Sequence, residues 1–155
     1  MSTESITNLQ RRQIQAEFFA SLIGEFIHEL GYERALQLAS TAIQKDAYLA
    51  GKSLAEKHGG NSLQDLLRLV REVWAEENAL EFTLLEQTGQ KLNFNVTSCR
   101  YAELYDRQGV KEFGYCLSCN RDAALIAGFN PRMRLVRTQT IMQGADFCDF
   151  RIVLE

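Results

Sequence analysis

Proline is nearly absent: Pro131 stands alone in the 155 residues, and none precedes it. Proline in a helix interior removes a hydrogen bond and clashes with the preceding turn, so its absence leaves the first half free to run long helices. Histidine is almost as scarce. His28 shares a helical stretch with Glu25, and His58 precedes Gly59-Gly60, where a cation near a helix C-terminus is ordinary. Both read as structural, which leaves a cysteine nucleophile without its usual base. There is no run of Lys or Arg and the formal net charge is -3, so the basic face needed to hold phosphate backbones is missing and no nucleic-acid partner is expected. No apolar run approaches the roughly 20 residues of a membrane span. The opening MSTESITNLQRRQ lacks the basic-then-apolar order of a signal peptide. A cytoplasmic protein with no membrane partner is expected. Repeats, linkers and low-complexity stretches are also missing, and the length suits one domain over 1–155, with a helical half at 1–77 and a sheet-bearing half at 78–155.

What is present begins with helical periodicity. Over residues 6–77 apolar side chains recur at helical spacing, and Phe18, Leu22, Phe26 and Leu30 form one stripe. Gly31 and Gly59-Gly60 mark stops. Ser62 with Asp65 has the look of an N-cap opening a third helix, from 63 to about 76, with Leu66, Leu69, Val70 and Val73 as its stripe. The long amphipathic first helix makes a homodimer plausible.

The period then changes. LEFTLLEQ, a TGQ turn and KLNFNVTS form a hairpin in which Leu92, Phe94 and Val96 alternate with Asn93, Asn95 and Thr97. Residues 101–127 return to helical spacing, broken at Gln108-Gly109, and Gly128-Phe129-Asn130-Pro131 reads as a loop. RMRLVRTQTIM and FCDFRIVL flank a QGAD turn as a second hairpin, with Cys148, Phe150, Ile152 and Leu154 on one face. The order ααα-ββ-αα-ββ predicts an α+β domain whose antiparallel sheet, built from two hairpins, is covered by helices on one side.

All four cysteines lie in the C-terminal part: Cys99, Cys116, Cys119 and Cys148. Without an export signal they read as thiols, nucleophiles or metal ligands rather than a disulfide framework. Helical spacing puts Cys116, Cys119 and Asp122 on one face, Cys99 falls where the second strand gives way to a helix, and Cys148 is on the apolar face of the last strand. Cysteine is commonly a small buried hydrophobe, so each alone reads as core filler. A single C-x-x-C is half of a zinc-ribbon pattern with no second half here. A mixed site of Cys99, Cys119, Cys148 and Asp122, assembled from distant segments, would suit tetrahedral zinc. Asp146 and Asp149 are nearby oxygen groups. Arg137 shares a strand face with Met133 and Leu135, and an inward arginine calls for a carboxylate, from the protein or from a substrate. Arg100 and Tyr101 sit at the junction beside Cys99.

The segments CRYAELYDRQG, EFGYCLSCNRDAALIAGFNP and LVRTQTIMQGADFCDFRI resemble the L-2-amino-thiazoline-4-carboxylic acid hydrolase family, most specifically in TQTIMQGADFCDFR. The resemblance covers roughly the last 60 residues, while the helical half matches in layout alone. The ending is also similar to vinyl-reductase-type ligand-binding domains, in which cysteines from separate segments hold zinc, although Thr140, Ile141 and Met142 stand where those domains carry a further cysteine.

The resemblance implies a hydrolase opening a small cyclic isothiourea that bears a carboxylate, such as 2-amino-thiazoline-4-carboxylate, at a carbon–nitrogen or carbon–sulfur bond. Such chemistry needs an activated nucleophile, a proton donor for the leaving atom and a cation for the carboxylate. Zinc on Cys99, Cys119 and Cys148 would supply a metal-activated water, with Asp122 or Asp149 moving the proton. Alternatively the Cys148 thiolate attacks directly. Arg137 or Arg100, with Tyr101 close by, would hold the carboxylate. The rival expectation is a module that binds a small ligand or metal without turnover.

Overall fold

The computed structural model describes residues 5–155. Its first helix, α1 (Asn8–Leu30), opens on a capping box: the Thr7 hydroxyl accepts from the Gln10 N–H and the Gln10 side chain accepts from the Thr7 N–H. Gly31, at φ 80°, turns the chain directly into α2 (Tyr32–His58), which ends on Gly59 in the left-handed conformation. Ser62 and Asp65 form a second capping box and open α3 (Leu63–Leu69), and the helical path continues as a π-turn over Val70–Trp74. The expected third helix is thus present, with its last turn widened.

The stripe of large side chains on α1 faces outward. Phe18 is 65% exposed, and Leu22, Phe26 and Leu30 are exposed with it, whereas the buried face of the helix carries Arg12, Ala16, Ala20 and Ile23. Small side chains let α1 lie close to α2 and to the elements beneath it, and the larger ones are left without a place in the core.

Four strands form one antiparallel sheet in the order β1-β2-β4-β3: β1 (Leu80–Gln87), β2 (Lys91–Cys99), β3 (Met133–Val136) and β4 (Cys148–Leu154). The two hairpins join through β2 and β4, where Phe94 lies opposite Phe150 and Val96 opposite Cys148. Leu92, Phe94, Val96, Cys148, Phe150 and Ile152 are buried on the face toward α3 and α6. Helices precede and cover an antiparallel sheet, the α+β architecture that the change of period implies. The second hairpin differs in detail. Its β3 stops at Val136, and residues 137–147 form a loop with a short 3₁₀ turn over Ile141–Gln143 before β4 begins, because the Asp149 carboxylate draws the Thr138 and Gln139 N–H groups (2.9 Å each) out of the ladder.

Between the hairpins the chain runs through α4 (Arg100–Arg107), α5 (Gly114–Leu117), a 3₁₀ turn (Cys119–Arg121) and α6 (Asp122–Phe129). Gly128 is the penultimate residue of α6, not the start of a loop. A Cβ there would collide with the Tyr48 carbonyl oxygen, and one on Gly51 would collide with the Leu125 carbonyl oxygen. The two glycines let α2 and α6 cross with their backbones nearly touching, which fixes α6 and the residues at its N-terminal end against α2.

Candidate functional site

Where the two apolar clusters of the fold meet, Leu80 and Cys99 pack against both, and a cavity of about 550 Å³ opens beside them. That volume lies in the range of small-molecule sites. Its walls come from α1, α2, the π-turn, the start of α4, the Cys119–Arg121 turn, α6 and the buried face of β2 and β4. It brings together Cys99, Cys119, Cys148, Asp122, Arg137 and Tyr101 from segments far apart in sequence.

Asp122 opens α6 and Arg137 follows β3, so each side chain stands at the end of an element and reaches into the space between them. Arg137 Nη1 donates to Asp122 Oδ2 at 2.5 Å, Nη2 donates to the Cys119 carbonyl at 2.9 Å, and the guanidinium lies 5.0 Å over the Phe150 ring. Phe150 is in turn stacked on Phe94, with centroids 4.8 Å apart. Burial raises the Asp122 carboxyl against the pull of Arg137, and Arg12 and Arg121 also favour its charged form. Burial works against the Arg137 charge, but Asp122 prevails and the guanidinium stays protonated. The walls therefore hold a carboxylate whose proton affinity is higher than that of a solvated one, locked in orientation by an arginine that donates through both Nη1 and Nη2.

The three cavity thiols are unlike nucleophiles at rest. Burial pushes Cys99 up to about 11, although as N-cap of α4 it faces the Tyr101 and Ala102 N–H groups, which pull the other way. Burial also raises Cys119, and the charge of Asp122 adds to the rise. Cys148 is raised by burial against the Ile141 N–H, which donates to its Sγ at 3.2 Å. All are neutral thiols near pH 7, weak donors that line the wall. Among the described residues no three His, Cys, Asp or Glu side chains are grouped to hold a metal ion.

Other residues singled out in the sequence lie elsewhere. The Asp149 carboxylate accepts from the Thr138 N–H at 2.9 Å and the Thr138 hydroxyl at 2.6 Å on the opposite side of β4, and that carboxylate is held below its ordinary range by these bonds despite some burial. Arg100 is exposed and donates to the Glu77 carbonyl (3.0 Å), latching the corner where Glu77 and Asn78 take positive φ. Cys116 does not share a face with Cys119, because the helix breaks at Ser118 (φ -118°, ψ -72°), and it points at α2 with its sulfur 3.4 Å from the Ser40 hydroxyl. Tyr101 lines the cavity, but its hydroxyl is committed: it donates to the Trp74 carbonyl (3.1 Å) and accepts from Asn8 (2.9 Å).

Two wall residues went unnoticed in the sequence. Arg12 is 8% exposed and Arg121 is 9% exposed, and both line the cavity. The available signal was the α1 series Arg12, Ala16, Ala20, Ile23, an arginine in register with small residues, which the brighter Phe18 stripe masks.

The chain belongs to the L-2-amino-thiazoline-4-carboxylic acid hydrolase family, whose model matches residues 11–152. No curated protein matches it. Among solved structures it is similar to a trafficking protein particle complex subunit 3 from Naegleria fowleri, covalently bound to palmitic acid, at 14% identity and a TM-score of 0.58, covering 94% of this chain and 95% of that one. It is also similar to the phenol-responsive sensory domain of the transcription activator PoxR, crystallised with phenol, at 16% identity and a TM-score of 0.54, covering 87% of this chain and 72% of that one. At such identities the likeness is one of fold.

Proposed function

We propose that the cavity takes a small carboxylate-bearing cyclic amidine of the kind the family is named for and opens it by hydrolysis. The observation that carries this reading is Asp122: a carboxylate with a raised proton affinity, held by Arg137 through one oxygen, with the other left for a water. A general base works best when its pKa approaches the working pH, and burial moves Asp122 in that direction. Asp122 takes a proton from water as the water oxygen bonds to the amidine carbon. The ring sulfur or ring nitrogen then leaves as its bond to that carbon breaks, and it receives the proton from Asp122. The neutral thiols of Cys99, Cys119 and Cys148 shape the wall beside the ring, where a soft sulfur heterocycle packs well. Incubation with 2-amino-thiazoline-4-carboxylate, followed by mass spectrometry, should give a product heavier by one water. Asp122→Asn should lower kcat by about 100-fold or more while keeping the fold. Full activity in that variant would remove Asp122 from the chemistry.

A second reading has its own support. The protonated thiols, and the palmitic acid and phenol held by proteins of the same fold, favour a module that binds a small molecule without changing it. Thermal stabilisation by the thiazoline with no product over hours would decide for the module.

The outward stripe of α1 fits a second copy of this chain, since a two-fold axis across the helix would set Phe18 and Leu22 against their own counterparts. A cytoplasmic setting suits four free cysteines, because reducing compartments keep them so. Among the described residues no helix is long and apolar enough to cross a membrane.

A further inference from the structure

The cavity holds more positive charge at its inner wall than the described residues neutralise. Arg137 is matched by Asp122, but Arg12 forms no ion pair among the described residues, and its hydrogen bond goes to the neutral Gln15 oxygen at 2.8 Å. Arg121 donates through Nη2 to Asp46 at 2.7 Å, yet that carboxylate is 71% exposed and its charge is largely screened by water. The Arg121 Nε is buried with no hydrogen-bond partner among the described residues. A buried guanidinium N–H without an acceptor costs stability, and so does a buried charge beside one of like sign. Burial lowers Arg12 to about 10, with the charge of Arg121 acting in the same sense and that of Asp122 opposing it. Two arginines from α1 and from the turn before α6 thus face one space with donors to spare. The acidic groups at the rim, Glu72 and Glu76, are exposed and pair with neither.

We propose that Arg12 and Arg121 form an anion subsite that receives the carboxylate of the ligand. A planar carboxylate presents two acceptor oxygens, and guanidinium forks match them with charge-assisted bonds. One such group would offset the like charge of the two arginines and tie α1 to the turn that leads into α6. This places the carboxylate away from Arg137, whose Nη1 and Nη2 already donate to Asp122 and the Cys119 carbonyl, and from Arg100, which lies outside the cavity. The inference rests on the cavity being the ligand site and does not depend on ring opening.

The test separates the two. Thiazolidine-4-carboxylate and thiazolidine share a ring, lack the amidine carbon and differ by the carboxylate, so neither can be hydrolysed as the family substrate is. Calorimetry on the full chain should show the carboxylate binding about tenfold or more tightly than the parent ring. Arg12→Met should erase that preference while the ligand-free protein melts no lower than wild type, since the change removes an unpaired buried charge. Arg12→Lys, which keeps the charge but loses the fork, serves should the methionine variant fail to fold, and should weaken the preference. Equal binding of the two rings to wild type, or a preference that survives Arg12→Met, overturns the subsite while leaving the cavity reading intact. Absence of binding by either ring overturns both. A carboxylate preference without turnover of the thiazoline upholds the subsite and removes the hydrolase.

Discussion

Arg137 and Asp122 are joined at 2.5 Å although 15 residues separate them, one at the end of a strand and the other at the start of a helix. The pair closes one wall of the cavity, and the Arg137 side chain is only 8% exposed. Removing one member leaves the other charged and partly buried. Arg137→Met should therefore destabilise by about 3 kcal/mol, the lower end for broken buried pairs, and Arg137→Met with Asp122→Asn should cost less than Arg137→Met alone. A double-mutant cycle in urea checks this. Additive losses would mean that the pair is not coupled.

Gly51 and Gly128 test how closely α2 and α6 must cross. Alanine is the better helix former by about 1 kcal/mol. Even so, each Gly→Ala change should lower stability by about 2 kcal/mol or more, since the methyl would meet a backbone carbonyl that cannot swing aside. Urea midpoints give the measurement, and a stabilised Gly51→Ala would show that the helices have room to part.

The thiols set a pH limit. Cys99 has its pKa raised from 9.0 to about 11, so its contribution is fully present below pH 9 and is lost as pH rises through 11. Tyr101 and Tyr105, raised by burial to about 12, act in the same direction at higher pH. Arg12 acts oppositely, since its lowered value of about 10 returns stability as it discharges above that pH. The clean window lies between pH 9 and 10, where unfolding free energy should fall with rising pH. Each pH unit between the unfolded and folded pKa of a thiol corresponds to about 1.4 kcal/mol, so the full loss from Cys99 is roughly 2 to 3 kcal/mol. Cys99→Ala should reduce the slope but not abolish it, since Cys119 and Cys148 are raised by burial as well, and native thiols should react slowly with a disulfide reagent at pH 8 compared with the unfolded chain.

The exposed stripe of α1 should decide the oligomeric state. Light scattering is expected to give twice the chain mass for wild type, and Phe18→Asp with Leu22→Asp should halve it while leaving the helical circular dichroism unchanged. A monomeric wild type would assign the stripe to some other partner.

Much of the fold was legible because local rules act alone there. The Ser62 and Asp65 box, the stop at Gly59 and the period-two alternation of Leu92, Phe94 and Val96 each depend on neighbours within a few residues, and each reappears in space. The alternation also held for Cys148, Phe150 and Ile152, which are buried together. Ser118 shows where local reading ran out. Spacing placed Cys116 with Cys119, but a helix break that no proline or glycine marks turned them apart.

Sequence by itself determined the α+β class, the run of helices before the sheet, the two hairpins, the family and the segments that carry the cysteines, because these follow from periodicity, caps and a local signature. Tertiary structure alone decided which face of α1 is buried, since that depends on how much room the neighbouring elements leave and not on how apolar a stripe is. It also decided that Arg12 and Arg121 line one cavity and that Arg137 meets Asp122. Charges pair according to the distances that packing imposes, and chain separations of 109 and 15 residues carry no record of them.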